Sequence, residues 1–158
     1  MDLGSQSSSG TPVGRWLLHL ALLCAFALAP AVRGADLAVR FDGVNDFITF
    51  GQAAGLGATN FTLELWFMRQ GAGVTTNTGT GGITAVPLLT KGRAQADGSN
   101  LDMNYFLGIG TNNVLAADLE TFVGGTNQPV VGNTPILNDV WYHAAVTYNG
   151  TNWALYLN

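Results

Sequence analysis

Hydrophobic and polar side chains alternate with a period of two along much of the chain, most regularly from Phe61 to Phe67. One face of that segment is wholly apolar and the other is mixed, which is typical of a β-strand that packs one face on a core. The same pattern predicts strands at Leu37 to Phe41, Phe47 to Phe50, Leu88 to Thr90, Tyr105 to Ile109, Val114 to Leu119, Trp141 to Tyr148 and Trp153 to Leu157.

Turn signals separate these segments, and no segment after Ala35 has a convincing helical period. Asp42-Gly43, Asp97-Gly98 and Asn149-Gly150 each place an Asn or Asp before a glycine, as hairpin turns require. Many short strands joined by glycine-rich turns predict an all-β protein, an antiparallel β-sandwich or jelly roll.

Two stretches lack the alternation and are predicted to be loops. Gly71 to Gly82 has no large side chain to bury, so we expect a mobile excursion from the preceding strand. Arg93 to Asn104 is rich in side chains that bear oxygen atoms.

The N-terminal 34 residues are predicted to be a secretory signal peptide. Arg15 precedes an apolar run from Trp16 to Leu28, and small residues follow it. The run is shorter than the roughly 20 apolar residues that span a bilayer, although an uncleaved membrane anchor is the alternative. We expect cleavage between Ala31 and Ala35, a mature domain over residues 35–158, no membrane insertion after cleavage, and secretion to the outside or surface of the cell.

Charge and cysteine content exclude several classes of function. Six basic and ten acidic residues give 6 − 10 = −4, and a pI near 4.7 argues against a nucleic-acid partner. Residues 35–158 keep four basic and nine acidic residues, 4 − 9 = −5, and no cysteine, because Cys24 lies in the signal segment. Cysteine nucleophiles and zinc-thiolate sites are therefore excluded from the mature domain.

Three segments, in order, resemble the signature strands of LamG-like domains in the concanavalin A-like lectin/glucanase group. They are F-D-G-V-N-D-F-I at residues 41–48, F-T-L-E-L-W-F at 61–67, and V-W-Y-H-A-A-V-T-Y-N-G at 140–150 with L-Y-L-N at 155–158. The resemblance implies two antiparallel sheets in a jelly-roll sandwich, an extracellular location, and binding of glycans or proteins.

The C-terminal end departs from that resemblance. A LamG-like domain continues through several more strands after the L-Y-L-N segment, and no such strands follow Asn158. Ending there leaves a strand without its next neighbour. We therefore expect the sequence to be part of a longer protein with further domains, and the jelly roll to lack its last strands.

Candidate catalytic residues are few. Asp118 and Glu120 lie at i and i+2 of a predicted strand, so their carboxylates face the same way roughly 6 to 7 Å apart, a spacing that a glycosidase could use. A solvated strand face is the alternative that we favour. His143 has no nucleophile motif nearby and is interpreted as a packed strand residue. We therefore predict a protein that is not an enzyme.

Calcium is the cofactor that the sequence favours, since hard cations bind carboxylate and amide oxygens in loops. One predicted site has Asp42 and Asp46 in the F-D-G-V-N-D turn, where Asx-turn hydrogen bonds are the alternative. The other lies in the second loop, where a solvated polar turn is the alternative, and its candidate ligands are Asp97, Asn100, Asp102 and Asn104.

Glycan binding requires exposed aromatic rings with polar neighbours. Trp66 lies on the mixed face of its strand and is the first candidate, followed by Tyr142 and Tyr156, and sheet packing is the alternative for each. We predict a secreted recognition or adhesion module that binds a glycan or an extracellular protein. A structural spacer beside a downstream catalytic domain is the alternative, and a glycoside hydrolase is a third interpretation.

Overall fold

A computed structural model describes residues 37–92 and 103–158 of the chain. All eight strands belong to the unit Arg40–Asn158, whereas residues 37–39 belong to a separate N-terminal unit. The predicted signal segment and most of the Arg93 to Asn104 loop lie outside the described residues.

The described residues form two antiparallel sheets, and their one helical segment is a 3-10 turn, Ala54–Leu56. The three-stranded sheet has the order β1-β7-β8, and the five-stranded sheet has the order β2-β3-β4-β5-β6. The strands are β1 (Phe61–Met68), β2 (Thr76–Asn77), β3 (Thr84–Lys91), β4 (Tyr105–Gly110), β5 (Val114–Asp118), β6 (Val130–Pro135), β7 (Trp141–Tyr148) and β8 (Trp153–Leu157). This confirms the predicted all-β sandwich.

The core lies between the two sheets and is built from alternate residues of their strands. Leu63 and Phe67 of β1 and Val146 of β7 point inward from the three-stranded sheet, and Leu107 of β4 and Leu115 of β5 face them from the other sheet. Because strand side chains alternate between faces, the intervening residues of β1 and β7 lie on the outer surface. The alternation that predicted β1 therefore also fixed which of its side chains are exposed.

The β7–β8 hairpin confirms one predicted turn. The backbone N–H of Asn149 donates to the carbonyl of Asn152, and the Asn149 Oδ1 accepts hydrogen bonds from the N–H groups of Thr151 and Asn152. Gly150 has φ 90°, a conformation that a side chain would strain.

The prediction for Gly71 to Gly82 is wrong in part, because this segment contains β2 and a buried residue, Thr78. β2 pairs with β3, and the turn after it closes through a hydrogen bond from the Thr78 N–H to the Ile83 carbonyl. The segment then reaches the outer face of the five-stranded sheet, where β4 and β5 are buried along their whole length. The small side chains that argued against burial allow this close approach.

Other strand boundaries also differ from prediction. Residues 37–41 and 47–50 form no strand, and their large apolar side chains are exposed, because neither segment has a pairing partner among the described residues. Strand β3 begins before the predicted Leu88, since a bulge between Pro87 and Leu89 accommodates the proline. Strand β6 was not predicted, because its sequence, V-V-G-N-T-P, is short of large apolar residues.

Candidate ligand-binding site

The outer surface of the three-stranded sheet carries a group of rings that are exposed or partly exposed, which we call the aromatic face. Its members are Trp66, Trp141, His143 and Tyr156, with Glu64 among them. Trp66 is 66%, Tyr156 53% and Trp141 49% exposed. Rings of this size are usually buried at least in part, so three on one surface mark it as a candidate binding site.

The strand register sets the spacing of these side chains. Trp66 lies directly opposite His143, with ring centroids 5.1 Å apart and an interplanar angle of 41°. Glu64 lies opposite Ala145, which in turn lies opposite Tyr156. Since neighbouring strands are about 4.8 Å apart, Glu64 and Tyr156 flank the small Ala145 at a backbone separation of roughly 10 Å. Trp66 and Tyr156 therefore lie on the two outer strands of this sheet, with His143 and Ala145 of β7 between these strands.

Polar groups lie beside the rings. The Nε2 of His143 is 3.7 Å from the Oε2 of Glu64, and both side chains are partly or largely exposed. No lysine or arginine occurs in β1, β7 or β8. The aromatic face therefore offers a carboxylate, an imidazole and a phenol hydroxyl, without a side chain of fixed positive charge.

Tyr142 is not part of this face, which corrects its prediction as a ligand-contact residue. It is only 6% exposed and stacks on Phe67 in the core, with ring centroids 5.7 Å apart. Its hydroxyl accepts a hydrogen bond from the N–H of Leu137. One residue earlier, Trp141 points outward, because neighbouring strand residues lie on opposite faces.

The carboxylate pair predicted on a solvated strand face is placed differently by the structure. Asp118 is 0% exposed, so the prediction of a solvated side chain is wrong for this residue. Its Oδ2 accepts hydrogen bonds from the Thr78 hydroxyl (2.6 Å) and the Asn127 Nδ2 (2.9 Å), and its Oδ1 accepts one from the Gln128 N–H (2.9 Å). A carboxylate enclosed in this way does not face a surface where a sugar could bind.

Burial raises the pKa of Asp118 above its ordinary range. The hydrogen bonds from Thr78, Asn127, Gln128 and the Leu119 backbone oppose part of that rise, because they stabilise the ionised form. Gly82 completes the enclosure: a Cβ at this position would lie 2.7 Å from the Asp118 Oδ2 and 3.0 Å from the Asn127 Nδ2.

The raised pKa of Asp118 predicts how the free energy of unfolding depends on pH. A group that binds its proton more tightly when folded contributes most stability at acidic pH, and that contribution is lost as pH rises through the folded-state pKa. The stability difference between the wild type and Asp118→Asn should therefore shift in favour of the wild type as pH falls from 7 towards about 4. Urea denaturation at several pH values measures this difference.

Asp42 is the control for that experiment, since hydrogen bonds from the N–H groups of Val44 and Asn45 lower its pKa. The difference between the wild type and Asp42→Asn should move in the opposite direction, because a depressed pKa gives stability that is lost in acid. A pH-independent difference for Asp118→Asn would contradict the assignment.

The residues of the first predicted calcium site form an Asx turn. The Asp42 Oδ1 accepts hydrogen bonds from the Val44 and Asn45 N–H groups, and the Asp46 Oδ2 accepts one from the Asp42 N–H. Gly43 has φ 75° within this turn. Backbone donors thus occupy one oxygen of each carboxylate, and metal binding here stays a prediction.

Of the second predicted calcium site, only Asn104 lies within the described residues; Asp97, Asn100 and Asp102 lie outside them. No group of three or more His, Cys, Asp or Glu side chains suited to a metal ion occurs in residues 37–92 and 103–158. In the same part of the chain, no helix has the length and apolar character needed to cross a membrane.

The sequence pattern did not identify several residues of the aromatic face or of the buried hydrogen bonds around Asp118. Trp141, His143 and Glu64 share the outward positions of Trp66 once β1 and β7 are paired, so the alternation could have placed them with it. Thr78 and Asn127 gave no signal, because they meet Asp118 only through contacts between residues distant in sequence.

The comparisons with known proteins agree with this architecture. A family model of laminin G-like domains, described as the concanavalin A-like lectin/glucanases superfamily, matches residues 42–158. Comparisons with curated proteins and with solved structures gave no match. Because the family match spans most of the chain and the fold is a two-sheet antiparallel sandwich, the chain belongs to the LamG-like family, whose domains are generally non-catalytic modules that bind carbohydrates or other ligands.

Proposed function

We propose that this domain is a non-catalytic carbohydrate-binding module whose glycan binds on the aromatic face. The observation that supports the proposal is the exposure of Trp66 and Tyr156 on the outer face of one sheet, on the two strands that flank β7. The C–H faces of a sugar pack on aromatic rings, while carboxylate and imidazole groups take its hydroxyls.

Charge narrows the proposed ligand class to neutral glycans. Glu64 is the one acidic residue on β1, β7 and β8, and these strands have no lysine or arginine. A sulfated or carboxylated glycan would meet the Glu64 carboxylate, and no basic side chain on these three strands would offset the repulsion. Neutral sugars avoid this repulsion and still gain the ring contacts.

Location and lack of catalysis are part of the same proposal. LamG-like domains commonly bind glycans or extracellular proteins and are typically extracellular, which agrees with the predicted N-terminal secretion signal. The acid pair considered for hydrolysis includes Asp118, which is buried beneath Thr78 and Asn127. We therefore propose a secreted module that binds its glycan without cleaving it, as part of a larger extracellular protein.

Substitutions on the aromatic face test the proposal. Trp66→Ala and Tyr156→Ala should each weaken binding at least tenfold, because truncation of a central aromatic contact commonly costs about 2 kcal/mol. Affinity electrophoresis against soluble β-glucan, xylan, galactomannan and starch identifies a bound polymer, and calorimetry with oligosaccharides of that polymer measures the loss.

Phe122→Ala is the matched control, since Phe122 is an equally apolar ring, 81% exposed, in the loop after β5. Its affinity should equal that of the wild type. Equal losses in Phe122→Ala and Trp66→Ala would remove the aromatic face as the site. No saturable binding to any neutral glycan would favour the structural spacer instead.

A further inference from the structure

A cavity of about 240 Å³ opens at the end of the sandwich where the loop between β5 and β6 meets the β7–β8 hairpin, and we call it the end cavity. Leu119 and Pro129 of the loop line it together with Tyr148 and Trp153 of the hairpin. None of the described residues that line it carries a charge. The end cavity therefore suits an uncharged group, since a charged one would lose its hydration without gaining a counter-charge.

Tyr148 and Trp153 form the aromatic part of the wall. They are paired across β7 and β8, and their ring centroids are 5.9 Å apart at an interplanar angle of 85°. Phe61 packs against Trp153 on another side, with ring centroids also 5.9 Å apart. The Trp153 ring is therefore fixed by two neighbours and lies at right angles to the ring of Tyr148.

The indole N–H of Trp153 is the feature that indicates a ligand. Its Nε1 is buried, and it has no hydrogen-bond acceptor among the described residues. Native structures satisfy nearly all buried donors, and the aromatic rings beside this one are much weaker acceptors than a carbonyl oxygen. A ligand that brings a carbonyl oxygen into the end cavity would satisfy the indole N–H.

Further donors surround the same cavity. The hydroxyls of Tyr148 and Thr151 and the side-chain amide of Gln128 belong to residues that line it. None of the three groups forms a hydrogen bond with another residue in the described part of the chain. Each can donate to an acceptor on a ligand, so the cavity combines apolar walls with several unused donors.

A proline-rich peptide has the chemistry that complements this cavity. Proline has no backbone N–H, and the polyproline II helix has no internal hydrogen bonds, so its carbonyl oxygens remain free acceptors. Its rings are uncharged and apolar, and they pack in grooves lined by aromatic side chains. We propose that the end cavity binds a proline-rich segment of an extracellular partner, with a prolyl ring against Tyr148 and Trp153 and a peptide carbonyl accepting from the indole N–H.

The end cavity is separate from the aromatic face. Tyr148 lies opposite Phe61 in the β1–β7 register, and Phe61 and Trp153 both pack against the core on the inner side of the three-stranded sheet. Trp66 and Tyr156 point to the outer side of the same sheet. Binding of a proline-rich segment therefore does not depend on the proposed glycan binding.

Titration of the ¹⁵N-labelled full chain with a proline decapeptide, followed by NMR, tests the proposal. The Trp153 indole proton should shift downfield and saturate, because a hydrogen bond to a carbonyl deshields it. A Gly-Ser decapeptide offers carbonyls without prolyl rings and should cause no saturable shift. Trp153→Phe identifies the resonance and removes the N–H, so it should weaken peptide binding about tenfold, and Thr151→Val should weaken it about threefold.

Thr62→Val is the matched control for Thr151→Val, because it makes the same change at an exposed threonine of β1, away from the end cavity. Its affinity for the peptide should equal that of the wild type. Absence of a saturable shift of the Trp153 indole proton would overturn the proposal, whether or not Trp153→Phe folds. A shift caused by a neutral oligosaccharide and not by the proline peptide would also overturn it, since the cavity would then bind sugars.

Discussion

Asp118→Ala is expected to lower the free energy of unfolding by about 3 kcal/mol, a large fraction of the 5–15 kcal/mol typical of a domain. The wild-type carboxylate accepts hydrogen bonds from the Thr78 hydroxyl, the Asn127 amide and the Gln128 N–H. Alanine would leave these buried donors without that acceptor and would open a void beneath Gly82. Urea denaturation at pH 7, followed by far-UV circular dichroism, measures the loss.

A control substitution tests whether the lower free energy of unfolding of Asp118→Ala comes from the loss of its buried hydrogen bonds. Glu64→Ala removes a carboxylate from a strand in the other sheet, where it is exposed and 3.7 Å from His143. Exposed ion pairs contribute about 0–1 kcal/mol, so this variant should remain close to the wild type in stability. Similar losses for both substitutions would show that the buried hydrogen bonds add nothing specific.

Gly108→Ala is expected to destabilise the domain by about 3 kcal/mol, because the five-stranded sheet has no space for a methyl group there. A Cβ on Gly108 would lie 2.6 Å from the Cε1 of Phe106 and closer still to the backbone carbonyl of Val86. The Phe106 ring could move only at the expense of its contacts with Ala85 and Met103, and the carbonyl belongs to the neighbouring strand. Thermal and urea denaturation measure the effect.

Gly71→Ala is the control for Gly108, since no atom lies within 4 Å of a Cβ at that position. This variant should be neutral or slightly more stable, because alanine reduces the conformational entropy of the unfolded chain. If both variants had the same stability, the close packing of Phe106 over β4 would be contradicted.

The two sheets differ in how far their outer faces are exposed to solvent. In the five-stranded sheet, β4 and β5 are buried, and the turn after β2 contributes Thr78 to the buried hydrogen bonds around Asp118. The three-stranded sheet presents Trp66 and Tyr156 to solvent. Glycan binding is therefore proposed on the uncovered face of the three-stranded sheet.

The alternation of side chains in the sequence was enough to predict the all-β class and six of the strands, since a period of two reflects the geometry of a single strand. It also placed Trp66 on an outer face. The same information was present for Tyr142, whose position between Trp141 and His143 puts it on the inner face once Trp141 faces out.

Pairing between distant segments decided the rest. Residues 37–41 and 47–50 alternate as strands do, yet they have no pairing partner among the described residues to satisfy their backbone groups, and they are irregular. Asp118 is buried because Thr78, forty residues earlier, lies against it, and no local pattern encodes that contact. A sequence specifies which residues can share a face, whereas only the packed structure determines which face is covered and which remains open to a ligand.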